Sequence, residues 1–473
     1  MEILKMRWVK AISRKSYLLP IYTIWNGLQE NIDEFLAESK ESFITYYPDF
    51  DCRKNTSKAL TEKIVADSNF IKDYMAKSMS LSDKTRGKAK ELRFIETHKL
   101  TNKELWGNIK SVLDLLFESG KTITQAREHA YSYVVEKLKE KINKEEIDNL
   151  LMTLTNPTTK SLAMVEEDSL LKKAKKILDQ SSSELFQNLV NQHHDEWAWI
   201  PTDWAIGTPW TKTDIKNRLI SFIKSNPQEK LMEIEREYEE KKKHRETSIS
   251  KYNLSRDITD LIGMMEIEAF YRLHRRYVLS ELLYYSQPLF EELSFRIGLE
   301  TDFVYNLVPR EIEDFLLQGK GVKKEVISNR LKYFILSGKN RKINVICGDE
   351  ARKLAEKELN FQIKEDTNFL KGQIGCKGHV IGIARLVQTT KDFDKVIEGD
   401  ILVTHETTPD FIPLLKKVKA IVTDEGGISC HAAVISREMN IPCVIGTFVG
   451  TKVIKDGEKI EVNALEGYVK RLE

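Results

Sequence analysis

Between Ile421 and Gly446 the chain reads IVTDEGGISCHAAVISREMNIPCVIG, a run whose residue types and spacing can do chemistry. An apolar strand-like run ends at Thr423, and Gly426-Gly427 makes a tight turn. Ser429 is placed as an N-cap, and His431 falls in the first turn of a helix that stops near Asn440. A histidine there sits among backbone N–H groups that have no partner inside the helix, at the positive end of its dipole. That position favours the neutral, nucleophilic imidazole near pH 7. The same N–H groups and the Ser429 hydroxyl can cradle an anion such as a phosphoryl group, and the paired glycines let it approach the backbone. Ala432 and Ala433 are small enough for the helix to pack closely on a sheet. The chemistry that suits this pattern is nucleophilic transfer through His431. The plain alternative is a surface or capping histidine. A thiol catalyst at Cys430 is disfavoured because helix neighbours point apart, and His405, Asp424, Cys430 and His431 lack a recognised metal-ligand spacing.

A second cluster is aromatic. Four of the seven tryptophans, Trp197, Trp199, Trp204 and Trp210, fall within 14 residues, in a stretch interrupted by Pro201 and Pro209. They could line a pocket for an aromatic or apolar hydroxyl compound, with His193 or His194 as general base on that hydroxyl. The alternative is an aromatic staple that holds a loop on a helical bundle. Arg272, His274, Arg275 and Arg276 could anchor phosphate, but read more simply as a solvated helix face.

The elements that must position these residues differ along the chain. Residues 1 to about 365 read as helix almost throughout, with apolar residues at three- and four-residue spacing in Leu105–Phe117, Ile123–Leu138 and Leu170–Val190. Asn253 and Ser255 offer caps for a very long helix from about Arg256 to Gly298, which Pro288 should kink or split. From Gly372 onward, short Val/Ile runs replace that periodicity: Val380–Val387, Ile401–Thr404, Ala420–Val422, Val444–Ile445, Lys459–Val462 and Tyr468–Leu472. Helix candidates at Asp410–Lys417 and Cys430–Met439 lie between them. The expected fold class is therefore multidomain, α plus α/β: a helical region over 1–361, a polar linker over 362–371, and a compact domain over 372–473.

Composition narrows the function. With 473 residues, 41% hydrophobic and 31% charged, the chain can bury several cores. A net charge of +2 does not indicate a nucleic-acid face. No window approaches 18 apolar residues, and five scattered cysteines form no CxxC pair, which points to a soluble protein of a reducing cytoplasm with no membrane partner.

The Ile421–Gly446 run resembles the phosphohistidine swivelling domain of the phosphoenolpyruvate-utilising enzymes, a family that includes phosphoenolpyruvate synthase, pyruvate phosphate dikinase and rifampicin phosphotransferase types. The resemblance lies in Thr423, Gly426, Gly427, Ser429, Cys430, His431, Ala432, Ala433, Arg437, Glu438, Ile441, Pro442 and Gly446. It extends to the glycines from Gly372 to Gly382, to the stretch GDILVTHETTPD at 399–410, and to Asp456-Gly457 and Gly467. The resemblance implies a swivelling β/β/α domain in which His431 carries the phosphoryl group. Ser429 would bond that group, with Gly426, Gly427, Thr408 and Arg437 as further stabilising candidates. The stretch from Arg256 through GLETDFVYNLVPREIEDFL more loosely resembles the helical segment before this domain in rifampicin-phosphotransferase-like proteins.

Full-length members join the domain to an ATP-grasp nucleotide domain, and some to a phosphoenolpyruvate-binding barrel, neither of which is recognisable in this sequence. The expectation is then a phosphotransferase subunit that binds no cofactor itself. An ATP-grasp partner with Mg²⁺ and ATP would phosphorylate His431, which would pass the group to a small-molecule acceptor. The alternatives are phosphoenolpyruvate as donor, with its barrel on another subunit, or a non-catalytic binding module.

Overall fold

A computed structural model describes residues 12–15, 17–28, 34–40, 43–123, 127–140, 142–155, 158–180, 182–202, 207–359, 368–388, 390–407, 411–415, 417–424, 431–447 and 449–472. The chain divides into two compact units, whose bodies are Ser13–Lys357 and Glu358–Glu473. Among the described residues, no helix is long and apolar enough to cross a membrane.

The first unit is built on the helix Arg256–Ile297, which buries Leu261, Met264, Leu279, Leu282, Phe290 and Leu293 against neighbouring helices. It ends where Gly298 takes a left-handed φ of 72°, a conformation glycine adopts without steric cost. Pro288 lies inside this helix and does not split it. A proline removes one backbone hydrogen bond, and the packing of Leu289, Phe290 and Leu293 just beyond it keeps the helix continuous. The helix Leu18–Leu28 crosses Asn102–Lys121 at a pair of glycines. A Cβ on Gly27 would lie 1.9 Å from the Phe117 carbonyl oxygen, and one on Gly120 would lie 1.9 Å from that of Ile24.

The region is mostly helical as expected, and the reading of helix almost throughout is corrected by a five-stranded sheet. Its strands are β1 (Ile12–Lys15), β2 (Glu34–Lys40), β3 (Phe43–Pro48), β4 (Tyr333–Lys339) and β5 (Lys342–Cys347), in the order β1-β3-β2-β4-β5. Asn340 and Arg341, both at positive φ, make the two-residue turn between β4 and β5, a geometry that matches the twist of a hairpin. β2 pairs with β4 across most of the unit's sequence, so no local pattern announces the pairing.

The second unit contains β6 (Phe369–Lys371), β7 (Gln373–Cys376), β8 (His379–Val387), β9 (Ile401–Thr404), β10 (Ala420–Thr423), β11 (Cys443–Ile445), β12 (Lys459–Asn463) and β13 (Tyr468–Arg471). Their order is β6-β13-β12-β8-β9-β10-β11-β7, with β8 to β11 parallel and the remaining pairs antiparallel. The two edge strands, β6 and β7, are separated in sequence by Gly372 alone, so the sheet must curl until its edges meet there. Gly372 N–H donates to Gly467 O at 2.9 Å, and a Cβ on Gly372 would come within 2.6 Å of Ile445 O. Where the chain leaves the sheet, Arg471 N–H donates to Asn368 O at 2.9 Å, beside its point of arrival.

β9 and β10 are buried on both faces, as parallel strands usually are. Ile401, Val403, Ala420 and Val422 enter one core with Val444, Ile460, Val462 and Val469. Leu402 and Ile421 face the other core, beneath Ala432 and Ala433 of the helix His431–Glu438. Each Val/Ile run named from the sequence lies on one of these strands, and the helix expected at Asp410–Lys417 is formed over Ile412–Leu415. Of the expected linker, residues 362–367 lie outside the described residues, while Phe369–Lys371 is strand β6.

Candidate functional site at the carboxyl edge of the parallel strands

Parallel strands β9, β10 and β11 all end on one edge of the sheet. His405 follows β9 directly, Asp424 follows β10, and Thr447 lies two residues past β11. The helix His431–Glu438 connects β10 to the parallel strand β11, so it must start on that same carboxyl edge and run back along the sheet. Open α/β sheets gather ligands at this edge. His431 is the first residue of the helix, a position whose backbone N–H has no partner within it. Behind it, Ala432 and Ala433 are buried against the sheet, and the buried Ser436 hydroxyl donates to Ala433 O at 3.0 Å.

Gly426, Gly427, Ser429 and Thr408 lie outside the described residues, and of His431 only the backbone is described. Arg437 occupies the last turn of the helix, and its Nε donates to Gly375 O on β7 at 2.7 Å. The structure therefore places Arg437 at the end of the helix opposite His431, pinning it to an edge strand.

The residue that organises the described part of this edge is Asp424, 2% exposed. Its carboxylate accepts from the Thr451 backbone N–H at 2.9 Å, from the Thr451 hydroxyl, and from the Thr447 hydroxyl at 3.3 Å. His405 Nδ1 stands 3.8 Å from Oδ2. Burial alone would push this carboxyl up, but the nearby His405 and the hydrogen bonds from Thr451 outweigh it and hold it below the usual carboxylate range. The Asp424 backbone N–H donates to Thr404 O at 3.1 Å, tying the ends of β9 and β10 together. Gly450 leaves room for this arrangement, since a Cβ there would lie 2.7 Å from Thr447 Oγ1 and 3.0 Å from Asp424 Oδ1. Sequence reasoning considered His405 and Asp424 only as metal ligands and missed this network. The available signal was that each is the first polar residue beyond a buried apolar strand end.

The aromatic segment is a packed region of the helical unit. Trp199 is fully buried, stacks on Trp197 with ring centroids 6.1 Å apart, and donates from Nε1 to Glu196 O at 2.9 Å. Trp210 lies beneath the Arg218 guanidinium at 3.9 Å, and Trp204 lies outside the described residues. His193 is fully buried, with Nε2 2.7 Å from Glu166 Oε1, while Arg218 donates to both Glu166 oxygens at 2.6 and 2.9 Å. His194 lies nearer solvent, 3.5 Å from Asp195. His274 is buried rather than on a solvated face. A separate cleft of about 260 Å³ is lined by Leu92, Arg93, Ile95, Tyr284, Tyr285 and Pro288, among others.

The carboxyl-edge geometry defines a class: an α/β domain that presents a histidine at a helix start. Residues 396–467 match the family described as PEP-utilising enzyme, mobile domain. A probable phosphoenolpyruvate synthase of Archaeoglobus fulgidus is 47% identical over 118 residues, 25% of this chain and 16% of that protein. The phosphoenolpyruvate synthase of Pyrococcus furiosus is 44% identical over 108 residues, 23% of this chain and 13% of that protein. The crystal structure of Thermococcus kodakaraensis aconitase X in its holo-form aligns with 22% of this chain and 98% of that chain, at 27% identity and a TM-score of 0.18. The sequence matches make the C-terminal unit similar to this mobile domain and support a phosphohistidine-carrying domain there. The chain spans less than a fifth of the length of these curated relatives.

Proposed function

We propose that this chain is a phosphotransferase component in which His431 is transiently phosphorylated and passes the group to a small organic hydroxyl or enol acceptor. The observation that carries this reading is the position of His431, first residue of a helix at the carboxyl edge of parallel strands, inside a matched mobile domain. In the first displacement a ring nitrogen of His431 attacks phosphorus and the bond to the donor's leaving oxygen breaks. In the second, the acceptor oxygen attacks, the P–N bond breaks, and the acceptor's proton goes to a base or to solvent. Ser429 and the backbone of Gly426 and Gly427 would meet the phosphoryl oxygens, with Thr408 as a further candidate.

The donor in this reading is ATP with Mg²⁺, held by an ATP-grasp partner in trans. The names of the relatives favour a second reading, with phosphoenolpyruvate as donor and its barrel on another chain.

The test is intact mass and acid lability of bound phosphate, on protein from its native cells kept mildly alkaline, beside His431→Ala. The expected result is an acid-labile, alkali-stable phosphoryl group that the variant lacks. Native lysate with ATP or with phosphoenolpyruvate then separates the two donors. No label under any condition would overturn the carrier reading in favour of a binding module.

A further inference from the structure

An antiparallel sheet packed on one side normally turns polar residues toward water on the other. Strands β6, β13, β12 and β8 pack one side into a core through Leu370, Val469, Val462 and Ala384. The register fixes what stands on the opposite side: Phe369, Lys470, Glu461 and Ile381 lie across from one another in a single row. Ile383 faces Lys459 in the row beyond, and Lys371 faces Tyr468 in the row before. Toward its far end β8 gives this same side of the sheet to the core beneath the helix His431–Glu438, where Val387 and Leu402 lie. Over the antiparallel half the side is open: Ile381 is 45% exposed, Phe369 43% and Ile383 37%. Single exposed apolar residues are ordinary, but here two successive outward positions of one strand and a phenylalanine share a face.

The charges on this face select its partner. Glu461 is already engaged: His379 Nε2 stands 2.9 Å from its Oε1, and the Tyr468 hydroxyl donates to the same oxygen at 3.1 Å. Lys371, Lys459 and Lys470 set three ammonium groups at outward positions against that one carboxylate. Two copies joined face to face would bring these lysines against each other, which disfavours self-association. A single-stranded nucleic acid needs aromatic faces for its bases. Phe369 and Tyr468 already stack on one another, centroids 4.7 Å apart, and the rest of the central row is aliphatic or charged. Neighbouring strands lie about 4.8 Å apart, so the three spacings from β6 to β8 make a face roughly 14 Å wide. A helix with its side chains is about 10–12 Å across and can be seated there.

We propose that this sheet face docks a partner protein through an acidic amphipathic helix, its apolar side on Phe369, Ile381 and Ile383 and its flanking carboxylates against Lys371, Lys459 and Lys470. The face is built on the antiparallel half of the sheet, whereas His431 follows β10, so the proposal goes beyond the carrier reading and stands without it.

The test uses the full chain with isotope-labelled isoleucine δ1 methyl groups, the signals of Ile381 and Ile383 being assigned through Ile381→Val and Ile383→Val. The probe is a synthetic helical peptide of about five turns, with leucine repeating every three to four residues and glutamate on the other side. Both methyl signals are expected to move on titration, with binding that weakens as salt is raised. Lys371→Glu combined with Lys470→Glu should weaken binding about 10-fold, and Ile383→Ser by a similar factor, with thermal melts confirming that the variants fold. The same peptide with lysine in place of glutamate needs no variant and should leave the signals where they are. Signals unmoved by the glutamate peptide, or moved equally by the lysine peptide, overturn the proposal. So do signals that move with a single-stranded oligonucleotide instead, or that shift with protein concentration before any probe is added, the mark of a second copy on this face.

Discussion

His274 shows what burial does to a single imidazole. It packs 5.2 Å, ring to ring, from Phe270 inside the helical unit, and burial first, then the nearby Arg86, push its pKa down to about 4, against a smaller opposing pull from Asp83. The unfolded chain takes up this proton near pH 6.5 and the folded chain only near 4, so stability is lost as pH falls through that window and levels off below it. The full loss is of order 3 kcal/mol. His274→Gln should flatten that part of the pH dependence, as read by chemical denaturation at pH 7, 5.5 and 4.5. An unchanged slope would mean that the ring is hydrated in solution. Glu166 behaves differently: burial raises its carboxyl, but bonds from His193 and Arg218 prevail and hold it below its ordinary value. At this scale the sequence was only partly legible. The types and spacing around His431 carried the resemblance to the mobile domain that residues 396–467 match, whereas Asp424 and Glu166 take their meaning from partners remote in sequence.

Helix and strand pairs obey local constraints that can be tested by one methyl group. Gly27 and Gly120 let two helices touch backbone to backbone, and a Cβ at either would stand 1.9 Å from a carbonyl oxygen. Gly120→Ala should force the helices Leu18–Leu28 and Asn102–Lys121 apart and cost about 2–4 kcal/mol, despite alanine's better helix propensity. The check is the denaturation midpoint of the variant, and a midpoint at or above wild type would show that the crossing is loose. The second unit's strands were readable because β9 and β10 are buried on both faces and so appear as uninterrupted Val/Ile runs. In the first unit, β2 and β4 draw their partners from opposite ends of the unit, and a scan for local periodicity cannot see such a pairing. Pro288 does not split its helix, since tertiary packing carries the helix through it.

At the scale of the molecule, each sheet is completed by strands from its own unit, and the second unit has its own two cores. Residues 358–473 expressed alone should therefore fold, giving dispersed NMR amide signals, a cooperative melt, and phosphoramidate labelling that His431→Ala removes. A collapsed spectrum without cooperativity would show that the helical unit is needed to complete the fold. A further consequence lies in the hydrogen bond from Arg471 to Asn368. It brings the unit's first and last strands out side by side. A module with adjoining ends can be spliced into a loop of another protein without stretching either neighbour. In two of the matched relatives the shared stretch is only 13–16% of a much longer chain.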